Sequence, residues 1–183
     1  LIEYEKVPWN ELLDSPDNFL LKFQVQEITL ASGLVIQPSE SEIMEGIVKY
    51  GRVITHTKKL HDHLKSNYSE YPFELELSVD ESKHPTSIFE HYLIVSELQK
   101  LGVDLVSFAP RFCGDFEKGI EFKGDIDEFM DEFVVHTEIA KEFKDYKLSI
   151  HSGSDKFMIY QAIGSLKAGN VHVKTAGTSY LEA

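Results

Sequence analysis

Ionisable side chains recur where the predicted strands of this chain end. Asp80, Arg111, His151, His172 and Lys174 each lie at or just past the carboxyl end of a strand predicted from the hydrophobic pattern. Burying a charged group is costly unless the group is paired or bound to a metal. Because successive parallel strands end at the same edge of a sheet, we expect these side chains to converge on one site.

Two of these residues have the chemistry of metal ligands. His151 and His172 come from adjacent predicted strands, and Asp80 or Glu81 supplies a carboxylate from a third strand. Imidazole together with carboxylate can bind Zn²⁺, Mn²⁺, Ni²⁺ or Co²⁺, and catalytic metals commonly have three protein ligands. We predict a divalent metal held by Asp80, His151 and His172. The alternative is that both histidines are hydrogen-bonded structural residues.

Basic and hydroxyl side chains near the same strand ends suit an anionic, oxygen-rich ligand. Arg111 can grip a carboxylate through its planar guanidinium, and the strand position of Lys174 directs it inward. Glu117 beside Lys118 favours a solvated lysine instead of an anion clamp. The turn at 152–156 could present helix N–H groups to an anion, or it could be an ordinary helix cap. The candidate substrate-binding residues are Arg111, Lys118, Ser152, Lys156 and Lys174.

Strands and helices alternate strictly from residue 39 onward. Two capping-box pairs, Ser39 with Glu42 and Ser87 with Glu90, predict the starts of two helices. The predicted helices cover about 39–65, 87–101, 125–145 and 157–166, and the predicted strands cover 73–79, 105–109, 147–151 and 171–174. This alternation is typical of a parallel sheet with helical crossovers, so the predicted class is α/β.

One face of each predicted strand is polar. Side chains alternate between the two faces of a strand, and Leu75 and Leu77 alternate with Glu74, Glu76 and Ser78. The later strands alternate in the same way. The central strands of an open, doubly wound sheet are apolar on both faces, whereas a barrel can turn a polar face inward. We therefore favour part of a (β/α)8 TIM barrel over an open sheet.

The length limits how much of such a barrel the chain can form. A closed eight-stranded barrel needs about 250 residues, and this sequence has 183. We expect residues 1–183 to be a single barrel portion belonging to a longer protein. Residues 39–183 read as regular βα units. Residues 1–37 are less regular, with a hairpin expected around Gly33, and could be an appended β element.

Composition excludes several classes of function. The net charge of −13 argues against a nucleic-acid partner, because such proteins usually carry a basic stripe. The single cysteine, Cys113, permits no intrachain disulfide and fits a reducing cytosol. No long apolar run predicts a membrane span. We expect a cytoplasmic protein with a small-molecule substrate, able to self-associate through exposed barrel edges.

Several motifs resemble the tagaturonate epimerase family. They fall in order along residues 73–183, and residues 1–72 match less clearly. The motif segments are 78–82, 85–87, 108–112, 114–116, 118–120, 151–157 and 174–183. The resemblance implies a metal-dependent barrel that interconverts D-tagaturonate and D-fructuronate in hexuronate metabolism.

The implied reaction inverts C3, numbered from the carboxylate, while the ketone is at C5. The hydrogen on C3 is β to the ketone, so simple enolisation cannot remove it. Retro-aldol cleavage of C3–C4, rotation of the aldehyde and re-addition would invert the centre, with Glu81 and Asp155 as candidate acid–base groups. Deprotonation at C4 followed by a shift, or transient oxidation, are alternative routes. A metal-dependent sugar isomerase, a class II aldolase or an inactive sugar-acid-binding fragment are the alternative functions.

Overall fold

A computed structural model describes residues 2–25, 27–166 and 170–175 of the chain. They divide into two compact units, one made of Leu1–Leu75 with Ser87–Asp104 and the other of Glu76–Thr86 with Leu105–Ala183. Among the described helices, none combines the length and the apolar character that a membrane crossing requires.

The first unit is mainly helical. Its elements are α1 (Ile2–Glu5), α2 (Pro16–Val25), β1 (Ile28–Thr29), β2 (Val35–Ile36), α3 (Glu40–Asn67) and α4 (Ile88–Lys100). Both predicted capping boxes are confirmed: Ser39 and Glu42 begin α3, and Ser87 and Glu90 begin α4. Each pair satisfies backbone N–H groups that the first helical turn leaves without partners.

Residues 1–37 were interpreted from the sequence as a possible β element, and the described residues among them form two helices and one short hairpin. The hairpin around Gly33 is confirmed, with β1 and β2 antiparallel and Gly33 at φ +88°. Residues 16–25 of this region are helical and not β. Phe19 and Phe23 are both buried and lie four residues apart, which is helical spacing.

The second unit contains a four-stranded parallel sheet. Its elements are β3 (Glu76–Ser78), β4 (Ser107–Ala109), α5 (Ile126–Glu142), β5 (Lys147–Gly153), α6 (Phe157–Leu166) and β6 (Val171–Thr175). The strand order is β3-β4-β5-β6, and every neighbouring pair is parallel. The predicted α/β class is confirmed. Helix α5 ends earlier than predicted, because Lys144 and Asp145 adopt positive φ angles.

Strand register places the polar residues on a common face. Glu76 is opposite Ser107, and Ser149 is opposite His172. His151 is opposite Lys174, and this pair lies two residues further along β5 and β6 than Ser149 and His172. Because side chains alternate, these residues share a face of the sheet, as the polar alternation predicted. Leu148 and Ile150, with the opposite alternation, are buried.

Candidate functional site

The carboxylate of Glu76 joins the two histidines of the sheet. Its Oε1 atom is 3.0 Å from His151 Nε2, and its Oε2 atom is 3.0 Å from His172 Nδ1. The three residues come from β3, β5 and β6 and contact one another on the polar face of the sheet. Each imidazole therefore uses a different oxygen of one carboxylate.

His151 also contacts a second carboxylate. Its Nδ1 atom is 3.2 Å from Asp80 Oδ2 and 3.4 Å from the hydroxyl of Ser78, which itself donates to Asp80. His151 therefore lies between Glu76 and Asp80. With both ring nitrogens engaged by oxygen atoms, the orientation of the ring is fixed.

The surroundings of Glu76 keep its carboxylate ionised. Burial is the largest influence and raises its pKa, but hydrogen bonds with Ser107, His172, Ser149 and His151 outweigh it and lower the pKa to about 2. A carboxylate that accepts several hydrogen bonds is stabilised in its charged form. The site therefore holds a fixed negative charge at neutral pH.

A cavity of about 290 Å³ opens beside His151. Most of its wall comes from the segment 110–124 after β4, which we call the cavity loop. The lining residues are Asp80, Glu81, Pro110, Arg111, Phe112, Asp115, Phe116, Glu117, Ile150 and His151. Four of these ten are acidic, so an anionic ligand would need cations to offset them.

Arg111 is the basic residue among those lining the cavity. Its Nη1 atom is 3.4 Å from the carbonyl oxygen of Asp80, and its Nη2 atom is 3.7 Å from Asp115 Oδ1. Within the described part of the chain, its Nε atom has no hydrogen-bond partner. This Nε atom is buried, but the side chain is 31% exposed, so the terminal N–H groups are the ones that can donate to a carboxylate ligand.

The cavity loop is held by backbone and aromatic contacts. Asp115 and Lys123 exchange two backbone hydrogen bonds of 2.8 and 3.2 Å, which close the loop on itself. The ring of Phe122 packs against Phe116 at 5.1 Å and against Phe129 of α5 at 5.8 Å, measured between ring centroids. The loop is therefore packed against α5 beneath it.

The predicted acid–base residues differ in position. Glu81 is exposed and lines the cavity. Asp155 lies in the turn between β5 and α6 and is not among the lining residues. Of these two, Glu81 is placed to meet a ligand in the cavity.

The other predicted substrate contacts lie outside the cavity lining. Lys118 is exposed on the cavity loop, and Lys174 is exposed on β6 opposite His151. Ser152 is fully buried, and its hydroxyl is 2.9 Å from Tyr160 Oη. Lys156 is also fully buried and donates to Ser154. The structure thus brings Arg111 into the cavity and leaves these four residues elsewhere.

The predicted ligands Asp80, His151 and His172 form a row of contacts, in which Asp80 meets His151 directly and Glu76 lies between the two histidines. In the described part of the chain, neither these three residues nor Glu76, His151 and His172 bring one ligand atom each within 4.8 Å of one another. The two imidazoles contact opposite oxygens of Glu76. Even so, two imidazole nitrogens and an ionised carboxylate are a suitable donor set for Zn²⁺, Mn²⁺, Ni²⁺ or Co²⁺.

Glu76 is the functional candidate that the sequence reasoning passed over. It was placed correctly on the polar face but was not chosen as a ligand, because Asp80 and Glu81 lie closer to the strand end. The alternation of Glu74, Glu76 and Ser78 contained the signal. Only the side-chain contacts of the folded chain show which of these acids meets His172.

A second acidic group surrounds Cys113. Its sulfur lies within 4.8 Å of carboxylate oxygens of Glu128 and Glu132, and Glu132 accepts a 2.8 Å hydrogen bond from the Cys113 backbone N–H. Burial, together with these two acids, raises the pKa of the Cys113 thiol to about 12. The thiol therefore stays protonated at neutral pH and is a poor nucleophile.

These features define a mixed α/β protein with a polar site on one face of a parallel sheet. The chain belongs to the tagaturonate epimerase family, whose pattern it matches over residues 4–183. The family resemblance predicted from the motifs is confirmed. Of the 174–183 motif, residues 176–183 lie outside the described part of the chain.

Individual relatives agree with the family assignment. The chain is 44% identical over 151 residues to a tagaturonate/fructuronate epimerase of Thermotoga maritima, covering 82% of this chain and 31% of the relative. It also resembles the crystal structure of native fructuronate-tagaturonate epimerase from Cohnella laeviribosi, with a TM-score of 0.81 and 35% identity. That match covers 99% of this chain and 36% of the other.

A second Cohnella structure of that enzyme, with one glycerol, gives a TM-score of 0.77 at 33% identity, covering 100% of this chain and 38% of the other. The chain therefore spans about a third of the length of the relatives that it matches.

Proposed function

We propose that this chain supplies part of the active site of an isomerase that interconverts D-tagaturonate and D-fructuronate. The observation that carries the proposal is the contact of His151 and His172 with the two oxygens of Glu76, beside a cavity that contains Arg111. Membership of the tagaturonate epimerase family supplies the substrate class. We place the reaction in the cytoplasm, where a buried, protonated cysteine such as Cys113 stays reduced.

Inversion at C3 follows most simply from cleavage and re-formation of the C3–C4 bond. A base takes the proton of the C3 hydroxyl, and the oxygen lone pair forms an aldehyde carbonyl as C3–C4 breaks. The bonding electrons pass to C4 and are delocalised onto the C5 ketone as an enediolate. The aldehyde rotates, C4 attacks its other face, and the new C3 alkoxide takes back the proton.

Glu81 is our candidate for the group that moves this proton. It lines the cavity, whereas Asp155, the other candidate, lies in the β5–α6 turn. Arg111 would hold the substrate carboxylate, because it lines the cavity and its guanidinium offers a planar pair of terminal donors. After cleavage the carboxylate and the aldehyde belong to the same three-carbon fragment, so this anchor would keep the fragment in the cavity while the aldehyde rotates about the C2–C3 bond.

Glu76, His151 and His172 would hold a divalent cation, with Asp80 orienting His151. When bound, such a cation polarises the ketone oxygen and stabilises negative charge that develops there. The protein's own part is to present two imidazole nitrogens from β5 and β6 and an ionised carboxylate from β3. Zn²⁺, Mn²⁺, Ni²⁺ and Co²⁺ all accept this donor set.

We further propose that β3 to β6 are consecutive strands of a (β/α) barrel. Their spatial order follows their order in the chain, and all neighbouring pairs are parallel. Polar residues of β3, β5 and β6 contact one another on one face, as expected for an inward face. Strands β3 and β6 are the edges of the described sheet, and such edges favour pairing with another strand or self-association.

The test of the proposed function is conversion of D-tagaturonate in D₂O by the full-length protein, followed by NMR. We expect D-fructuronate with hydrogen, not deuterium, at C3, because the retro-aldol route never breaks the C3–H bond. Failure to convert either uronate would contradict the proposed function. Deuterium at C3 would contradict the route while leaving the substrate assignment intact.

Replacing the two acid–base candidates separates their roles. Glu81→Gln should lower kcat by about 100-fold or more, the usual contribution of a positioned acid–base group. Asp155→Asn should have a much smaller effect, because Asp155 does not line the cavity. The reverse order of effects would move the acid–base role to Asp155.

A further inference from the structure

The hydroxyl of Ser154 connects the β5–α6 turn to the cavity loop. Ser154 is 1% exposed, and its Oγ atom accepts a 2.9 Å hydrogen bond from the backbone N–H of Gly119. The same Oγ atom accepts a 2.8 Å hydrogen bond from Lys156 Nζ. A serine hydroxyl has two acceptor lone pairs, so these two donors use its full acceptor capacity.

Lys156 is buried in an unusual way for a lysine. It is 0% exposed, and its Nζ atom also donates to the backbone carbonyl of Ser154 at 3.1 Å. Burial lowers its pKa, while the nearby charges of Glu121 and Asp155 raise it. Lysine is rarely fully buried without partners. Here the amine donates to both the hydroxyl and the carbonyl of Ser154, which fixes the position of that residue.

The turn and the loop are also in close backbone contact. Gly153 has φ +67°, and a Cβ atom at this position would lie 3.0 Å from Lys118 Cγ and 3.5 Å from the Phe116 carbonyl oxygen. Phe116 and Glu117 line the cavity and closely precede the Gly119 amide that Ser154 holds. A shift of the Gly119 backbone would therefore move two residues of the cavity wall.

We propose that Lys156 and Ser154 are positioning residues that hold the cavity loop in place for substrate binding. Lys156 orients the Ser154 hydroxyl, and that hydroxyl holds the Gly119 amide. Sequence reasoning placed Lys156 against the substrate, whereas this role acts through the loop. The hydrogen bonds of Gly119 and Lys156 with the Ser154 hydroxyl do not depend on the proposed function. Their consequence for substrate binding rests on the proposed function.

The link is tested by amide hydrogen exchange, which needs no substrate. In Ser154→Ala, which loses only a hydroxyl, exchange at Gly119 should rise about fivefold, since a net hydrogen bond contributes about 1 kcal/mol. Lys156→Met, similar in length but without donors, should raise it in the same direction. The matched control is Ser152→Ala, which removes another fully buried hydroxyl of the same turn, bonded to Tyr160 instead. The control should leave Gly119 exchange within about twofold.

An unchanged Gly119 exchange rate in Ser154→Ala would overturn the proposal, and so would an equal rise in Ser152→Ala. Protected amides in α5 and β5 would show that each variant is folded. If Lys156→Met does not fold, Ser154→Ala decides the result alone, because it preserves the backbone and nearly all of the volume.

Kinetics then separate a positioning role from a merely structural one. In the full-length protein, Ser154→Ala should raise KM by about three- to tenfold with kcat changed by less than about twofold, because the wall of the cavity shifts while the reacting groups remain. Faster Gly119 exchange with an unchanged KM would refute the positioning role. If the unsubstituted protein converts no uronate, the proposed function fails, and the exchange experiment still decides whether the link exists.

Discussion

Gly114 lies where the cavity loop turns back toward α5, and its replacement tests how tightly the loop is held. Its φ angle is +72°, which L residues rarely adopt. A Cβ atom there would lie 2.5 Å from two atoms of the Phe122 ring and 2.8 Å from the carbonyl oxygen of Lys123. The ring is packed between Phe116 and Phe129, and the carbonyl is backbone, so neither can move easily.

The size of the effect follows from two separate costs. A left-handed backbone angle costs an alanine about 1 kcal/mol, and overpacking a filled site costs about 2 kcal/mol more. Gly102 provides the matched control, since it has φ +74° but nothing within 4 Å of the place that an alanine methyl group would occupy. We therefore expect Gly114→Ala to lower the free energy of unfolding by about 3 kcal/mol and Gly102→Ala by about 1 kcal/mol.

Urea denaturation followed by circular dichroism measures both free energies from the midpoint and slope of each transition. The difference between the two variants, about 2 kcal/mol, reports the steric term alone. Equal destabilisation by the two substitutions would refute the reasoning. It would mean that the cavity loop accommodates the added methyl group without any loss in the free energy of unfolding.

Three further predictions concern His136, Glu76 and Cys113. Burial lowers the pKa of His136 to about 4, so the unfolded chain binds a proton on this residue more readily than the folded chain. The contribution of His136 to the free energy of unfolding should therefore be constant above about pH 6.5, fall by about 3 kcal/mol toward pH 4 and then level off. Urea titrations from pH 7.5 to 4 check this, and an unaltered slope in His136→Gln would contradict it. Glu76→Gln should reduce epimerase activity by about 100-fold or more. Glu74 is an exposed acid two residues earlier in the chain, and Glu74→Gln should leave the activity unchanged. Similar losses of activity in both variants would exclude a special role for Glu76. Burial and the neighbouring acids raise the pKa of Cys113 to about 12, so iodoacetamide at pH 8 should modify the folded protein far more slowly than the urea-unfolded chain, and equal rates would contradict the buried, protonated thiol.

Local sequence signals predicted the elements of the fold well. The capping boxes at Ser39 and Ser87 fixed two helix starts, because the side-chain and backbone partners lie within three residues of each other. Alternation in the strands predicted which face is polar. Helix α5 was predicted too long, since nothing in the pattern indicates the positive φ of Lys144 and Asp145.

The site was predicted less completely, because its contacts depend on strand register. His151 and His172 were predicted as strand-end residues, although His172 is the second residue of β6, and the acid between them was not predicted. Glu76 lies further from the strand end than Asp80, and its contact with His172 joins strands that are far apart in the chain. The burial of Lys156 was not predicted either, because a lysine in a polar turn is ordinarily exposed.

The central claim is that Glu76, His151 and His172 together bind a divalent cation that the epimerase requires. Elemental analysis of the full-length protein after exhaustive dialysis tests it most directly, alongside Glu76→Gln and His172→Gln, with Glu74→Gln as the control. We predict about one divalent transition-metal ion per chain in the unsubstituted protein and the control, and loss of both metal and activity in the two site variants. Full epimerase activity in metal-free protein, or an unchanged metal content in both site variants, would contradict the claim.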